Sequence, residues 1–279
     1  MKSEIQILRS GIYSTLQRAA DFSQIHFGVS PGGPMDQNAA SLANFLVGNP
    51  EDSPVLECTL DGPVLKFEET LKIAVTGAKC SVLVNDAEFE MNQCIEVPEG
   101  SILKVGRSQN GFRSYIGISG DLSTENENNE PASRGELRKG EKIYSAQGEN
   151  AAVISLQKPK PIVYDQRIEV FTGPEFSILS ENDLKLIFDK PIKVLSESGR
   201  KAYLLEKTAV KTKAGEMISS GVIPGTIQLT PEGTMIILMR DCQTIGGYPR
   251  IGVVTSGGMN RLAQVRPGEE VVLFLSSGQ

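Results

Sequence analysis

The strongest constraint on this chain lies at residues 219–258, SSGVIPGTIQLTPEGTMIILMRDCQTIGGYPRIGVVTSGG. Gly221, Pro224, Gly225, Pro231, Gly233, Gly246, Gly247, Pro249 and Gly252 punctuate it. Between them lie three short runs, 226–229, 234–239 and 251–255, rich in β-branched or aliphatic residues. Short apolar runs bounded by turn formers read as tightly connected strands. Gln228, Arg240, Asp241, Gln243 and Tyr248 are the polar groups here that suit a ligand-facing role. The Gly246-Gly247 pair beside Tyr248 lets backbone approach a bound molecule closely, because no Cβ intervenes. The same glycines also fit a plainer reading, as turns at the rim of a β-barrel.

The chain has 279 residues, enough for one large or two ordinary domains with a sizeable core. A net charge of -6, no basic cluster, sparse aromatics and no Trp weigh against a nucleic-acid partner. The opening MKSEIQILRSG is too polar for a signal peptide. No apolar run approaches the roughly 18 residues of a membrane helix. The expectation is a cytoplasmic protein with no membrane partner. Cys58, Cys80, Cys94 and Cys242 form no CxxC pair and sit in apolar contexts, which predicts buried, reduced thiols. The sole histidine, His26, rules out a His-rich metal site, and no metal ligand set is expected. A Ser-His-Asp triad would have to use His26, and no G-x-S-x-G elbow accompanies it. An enzyme built on this chain would use carboxylates, Lys, Tyr or the substrate itself for proton transfer.

Along the chain, Asp36 predicts the cap of a helix over 37–47, with Ala39, Leu42, Ala43 and Leu46 as its buried face. Gly48 and Pro50 end it. Asp36 has a second reading, as a carboxylate at a site built on the helix start. Segment 16–25 is ambiguous. Strands are predicted at 55–59, 64–67, 71–76, 81–84, 102–105 and 113–119. The acidic stretch 121–135 reads as a loop or lid, and KPKPIV at 158–163 as a linker. Strands at 167–171 and 192–195, a short helix at 176–179 or 181–186, and a closing strand at 271–275 follow. The expected division is a first lobe at 1–157, a linker at 158–166 and a second lobe at 167–279. No Walker loop, dinucleotide fingerprint, EF-hand, zincin or biotin-attachment motif occurs.

Three groups of residues together resemble one family. Gly28-Val-Ser-Pro-Gly-Gly-Pro-Met-Asp36, followed by Ala43-Asn-Phe-Leu-Val-Gly-Asn49, is similar to its amino-terminal signature. Leu56-Glu57, Gly62-Pro63 and Ala74-Val-Thr-Gly-Ala78 continue in the same order. Gly225-Thr-Ile-Gln228, Asp241 with Gly246-Gly-Tyr-Pro249, then Leu262-Ala-Gln264 and Pro267-Gly268, resemble its carboxyl-terminal signature. The family is that of the biotin-dependent carboxyltransferases, or allophanate hydrolase subunit 2. It includes KipA-type proteins and the C component of bacterial 5-oxoprolinase. The resemblance implies a mainly β fold with a few short helices, arranged as tandem cyclophilin-like β-barrel lobes. It implies a KipI-type partner (the B component in 5-oxoprolinase) and, in that complex, a further LamB/YcsF-type chain.

The implied activity is ATP-dependent opening of 5-oxo-L-proline to L-glutamate, with ATP supplied through the complex. Carboxybiotin is a second cofactor that the family uses. The alternatives are a KipA-like regulatory protein that engages a KipI-type kinase inhibitor, or a catalytically degenerate paralogue. Asp241, Tyr248 and Gln228 are the implied catalytic residues. Arg200, Gly246, Gly247, Gly32, Gly33 and Asp36 would hold the substrate. Backbone N–H groups of Gly32, Gly33 and Gly247 would stabilise oxyanion charge. Family arginines that would clamp an anion are reduced here to Ser198-Gly-Arg200…Leu204-Leu205.

Overall fold

The computed structural model describes residues 2–124, 136–146, 164–210 and 217–277. Residues 121–124 of the expected lid form a strand instead of a loop, and the rest of it, with the expected linker at 158–163, lies outside the described residues. The chain forms two mostly β units. Met1–Ala20 with Asp36–Ile162 make the first, and Asp21–Met35 with Val163–Gln279 make the second. The second unit is therefore assembled from two stretches far apart in sequence.

The first unit holds β1 (Lys2–Arg9), β2 (Tyr13–Gln17), α1 (Gln37–Val47), β3 (Val55–Thr59), β4 (Val64–Phe67), β5 (Leu71–Lys79), β6 (Val82–Val84), β7 (Ala87–Phe89), β8 (Ile95–Val97), β9 (Ile102–Val105), β10 (Asn110–Ile118), β11 (Asp121–Thr124) and β12 (Lys142–Ala146). One sheet runs β11-β12-β1-β4-β9-β6-β7 and the other β2-β3-β10-β5-β8. The period-2 alternation of each strand sends Ile5, Ile7, Leu65, Phe67, Ile73, Val75, Ile116 and Ile118 into one core.

Helix α1 is built as its sequence dictates. The Asp36 carboxylate accepts the Ala39 N–H at 3.0 Å. Gly48 closes the helix in the left-handed region, φ 83°, and its N–H reaches the Asn44 and Phe45 carbonyls. Ala39, Ala40 and Ala43 pack on Val55 and Tyr115. The approach is close: a Cβ on Gly117 would stand 2.6 Å from the Ala43 carbonyl.

Under the start of α1 the sheet carries charge. Glu57, Arg113 and Tyr115 are 1%, 2% and 0% exposed, so burial must be compensated by partners. The Tyr115 hydroxyl donates to Glu57 Oε2 at 3.0 Å and accepts the Asp36 N–H at 2.8 Å. Arg113 Nε lies 3.7 Å from Glu57 Oε1. Burial, then the Glu57 charge, pushes the Tyr115 phenol well above its ordinary value, so it stays a donor. Tyr115→Phe removes both bonds from a closed site. Urea unfolding is expected to show a loss of about 1–3 kcal/mol.

The second unit holds β13 (Arg167–Thr172), α2 (Glu181–Ile187), β14 (Pro191–Lys193), β15 (Ala202–Leu204), β16 (Ser220–Gly221), β17 (Thr226–Leu229), β18 (Met235–Leu238), β19 (Ile245–Gly246), β20 (Arg250–Val254), α3 (Ser256–Leu262) and β21 (Glu270–Leu275). Its main sheet runs β14-β21-β13-β20-β17-β18-β15, with β13 and β21 parallel. β16 and β19 pair as a separate two-stranded ribbon. Met35, Ile168, Val170, Tyr203, Ile227, Leu229, Ile237 and Leu273 fill the core.

Helix α3 falls where the sequence reading places no helix. Ser256-Gly-Gly has low helix propensity. Two local facts outweigh it: the Thr255 hydroxyl accepts the Gly258 N–H at 3.1 Å, and Gly258 lets the helix sit against β13 and β20. A Cβ there would stand 2.7 Å from Val254 Cγ1 and 3.1 Å from the Glu169 carbonyl. Among the described residues, no helix is long and apolar enough to cross a membrane.

The four cysteines are unpaired, and three are buried; Cys94 is exposed, against the expectation, because it lies in the turn before β8. Burial pushes the Cys58 thiol up to about 12 and those of Cys80 and Cys242 up to about 11. A thiol reagent at pH 8 is expected to modify Cys94 fast in the folded protein and the other three only on unfolding. Fast modification of Cys58 would contradict its burial.

Candidate functional site

Within the second unit, one guanidinium gathers several expected site residues. Arg200 Nε donates to Asp241 Oδ2 at 2.7 Å, and Arg200 Nη2 donates to Asp241 Oδ1 at 2.9 Å and to the Gly33 carbonyl at 2.8 Å. The Asp241 N–H returns a bond to the Arg200 carbonyl at 3.0 Å. Arg200 is 9% exposed, and the fork–fork geometry is what a nearly buried cation needs. Gly32 donates its N–H to the Arg240 carbonyl at 3.2 Å, and the Ser30 hydroxyl donates to the Cys242 carbonyl at 2.9 Å. Gly32 and Gly33 have φ of 66° and 98°, which explains why glycine occupies both.

Both Asp241 oxygens are engaged by Arg200, which suits an orienting acceptor. The Gly32 N–H is already given to the Arg240 carbonyl, so it is not open to an oxyanion. Asp36 belongs to the first unit, where it caps α1.

A second group lies along β17 and the β16–β19 ribbon. Gln228, 2% exposed, sends Nε2 toward the Tyr248 carbonyl at 3.4 Å. A Cβ on Gly246 would run into Gln228 Nε2, so the glycine is what admits the amide. The Gly247 carbonyl accepts the Met217 N–H at 2.9 Å, and Ser220 pairs with Gly246. Tyr248 is half-buried beside them.

Sequence reasoning missed the ion pair that supports this group. Arg250 stands opposite Gln228 in the β17–β20 register. Its backbone N–H and Nε both reach Glu175 Oε2 at 2.9 Å, and Nη2 reaches Oε1 at 2.7 Å. Nη1 donates to the Gly221 carbonyl at 3.0 Å, tying the ribbon to β20. The Glu175 N–H in turn bonds the Arg250 carbonyl at 3.2 Å. The Gly173-Pro174-Glu175 turn is visible in the sequence, but nothing local pairs it with a residue 75 positions away.

Hydrogen bonding from Arg250 holds the Glu175 carboxyl below its usual range, and Glu175 raises Arg250 in return. A carboxyl whose folded value is depressed adds stability above its unfolded value, about 4.3, and loses it as pH falls through the folded value. Glu175→Gln is therefore expected to remove part of the loss of stability seen on acidification below about pH 4. At pH 7 the same change is expected to cost about 1–3 kcal/mol, read by thermal melts across pH.

A cavity of about 630 Å³ lies in the first unit, at the C-terminal end of α1, and no expected site residue lines it. Its charged lining residues include Arg18 and Lys72 beside Asp52, Glu96 and Asp121. The four other than Arg18 are exposed and the Arg18 side chain is 41% exposed, and the buried Asn49 spends its amide on the Ile118 and Gly120 backbone. Among the described residues, no group of three or more His, Cys, Asp or Glu is placed to hold a metal ion.

The carboxyltransferase domain, subdomain A and B, matches residues 27–274, and the chain belongs to that family. It is 30% identical over 278 residues to the C component of 5-oxoprolinase from Escherichia coli (strain K12), covering 96% of this chain and 89% of the relative. It is 28% identical to the urea amidolyase of Saccharomyces cerevisiae (strain ATCC 204508 / S288c), covering 88% of this chain and 15% of that one. Among solved structures, the K. lactis urea amidolyase superposes with a TM-score of 0.86 at 28% identity, over 98% of this chain and 19% of that chain. TTHA0988 gives 0.83 at 23% identity over 98% of this chain, and this chain spans 55% of it. In both solved structures the matching part belongs to a longer polypeptide.

Proposed function

We propose that this chain is the carboxyltransferase-type subunit of an ATP-dependent amide or lactam hydrolase of the 5-oxoprolinase type, converting 5-oxo-L-proline to L-glutamate. The observation that carries the reading is the similarity to the C component of 5-oxoprolinase, which runs over 96% of this chain and 89% of that one. The geometry supports it. Gly246 makes room for the Gln228 amide beside Tyr248, and the Arg200–Asp241 fork fixes the Gly32-Gly33 turn. Tyr248 is the remaining proton donor or acceptor of the expected catalytic set, since Asp241 is committed to Arg200. With no phosphate-binding loop in this chain, ATP would be bound by a KipI-type or LamB/YcsF-type partner in the cytoplasm. Carboxybiotin would likewise have to arrive on another chain.

One observation favours a second reading. Both oxygens of the only carboxylate in the expected catalytic set are spent on Arg200, which suits a KipA-like binding module without chemistry of its own.

The deciding experiment co-purifies the chain with its KipI-type and LamB/YcsF-type partners and measures ATP-dependent release of glutamate from 5-oxoproline. Activity is expected, and Tyr248→Phe is expected to lower kcat by about 100-fold or more while the complex stays intact. A stable complex without activity supports the binding-module reading. No complex at all overturns both.

A further inference from the structure

Gln228 offers a more specific clue. It sits on β17 between Ile227 and Leu229, whose side chains enter the core, so its own side chain leaves by the opposite face. The amide is held there by Gly246 on one side and by the Nε2 bond to the Tyr248 carbonyl. That bond sets which end of the amide is nitrogen and which is oxygen. Among the described residues nothing donates to Oε1, and Oε1 is not one of the fully enclosed side-chain atoms that lack a partner. A glutamine that is 2% exposed thus turns a single open acceptor outward. Buried polar groups are normally satisfied, and an acceptor left open is complementary to an incoming donor.

The charges nearby narrow the donor. Arg250, opposite Gln228, is neutralised by Glu175. A carboxylate placed at Oε1 would meet an oxygen that only accepts. A cation there would find the Glu175 carboxylate already committed. An uncharged N–H fits. We propose that Gln228 Oε1 accepts a hydrogen bond from the N–H of an uncharged planar amide, cyclic or ureido, and so sets selectivity for N–H over its oxygen isostere. This rests on the amide reading above and names the residue that enforces it.

The test uses the complex of this chain with its partner subunits. Binding of 5-oxoproline is compared with that of its lactone isostere, in which the ring N–H is replaced by oxygen at nearly equal size. The wild-type complex is expected to prefer the lactam by at least about tenfold, because a site built to hydrogen-bond an N–H rejects the analogue lacking it. Gln228→Met, close in volume but with no acceptor, is expected to bring the ratio to about one, chiefly by weakening lactam binding. Gln228→Glu keeps an acceptor and is expected to retain a preference, with weaker binding overall. Equal binding of lactam and lactone by the wild type overturns the inference and leaves the amide reading standing. So does an unchanged preference in folded Gln228→Met. Binding of neither ligand by the wild type overturns the amide reading itself. The wild-type comparison needs no variant, so a misfolded substitution leaves the inference open to refutation.

Discussion

The Arg200 guanidinium is the contact on which the second unit's organisation rests. A cation buried to 9% exposure is tolerable only if its charge and its donors are met, and here three N–H···O bonds meet them. Those bonds join residues from three separate places: the β15 approach, the turn after β18 and the segment Asp21–Met35. Gly32 and Ser30 add backbone anchors, and Met35 buries its side chain in the same core. Removing either Arg200 or Asp241 would take the counterion from the other in a nearly closed place, which is far costlier than never having had the pair.

The same device recurs. Arg250 and Glu175 tie the ribbon to β20, and in the first unit Glu57, Arg113 and Tyr115 underpin the start of α1. Around each, glycines stand where a side chain would collide: Gly246 against Gln228, Gly173 against the Arg250 carbonyl, Gly117 against α1. Directional polar contacts thus fix segments that short strands alone would leave free to shift in register. The candidate site inherits its definition from these supports, since its own residues lie on turns and a two-residue ribbon.

What is legible in the sequence is what is decided locally. Helix α1 follows from Asp36, the apolar spacing and Gly48, and its bounds agree with the expectation; Ala39, Leu42 and Ala43 are buried as expected, while Leu46 is half-buried and Val47 takes its place. β17 agrees as well, and β18 and β20 agree to within a residue at either end, because turn formers flank all three. Gln228 and the Gly246–Tyr248 segment are neighbours in the fold, as their shared place in the glycine-punctuated stretch suggests. What escapes is decided by distant partners. α3 forms despite its glycines because Gly258 packs on β13 and β20. The Arg250–Glu175 pair, the commitment of Asp241 to Arg200 and the transfer of Asp21–Met35 into the second unit all depend on contacts between residues far apart in the chain.

That transfer has a bearing on how the protein is made. Gly33 leaves the ribosome 167 residues ahead of Arg200, the side chain that will hold its carbonyl. At 5–20 residues per second this is a wait of about 8 to 33 s. Through that interval Met35, destined for full burial, has no core to enter, and the exposed Phe22 and Phe27 lie in the same waiting segment. The first unit's strands are synthesised on either side of this tethered stretch, so vectorial folding leaves it looped out until the carboxyl-terminal strands appear. A later-translated part of the chain therefore decides the fate of an earlier one.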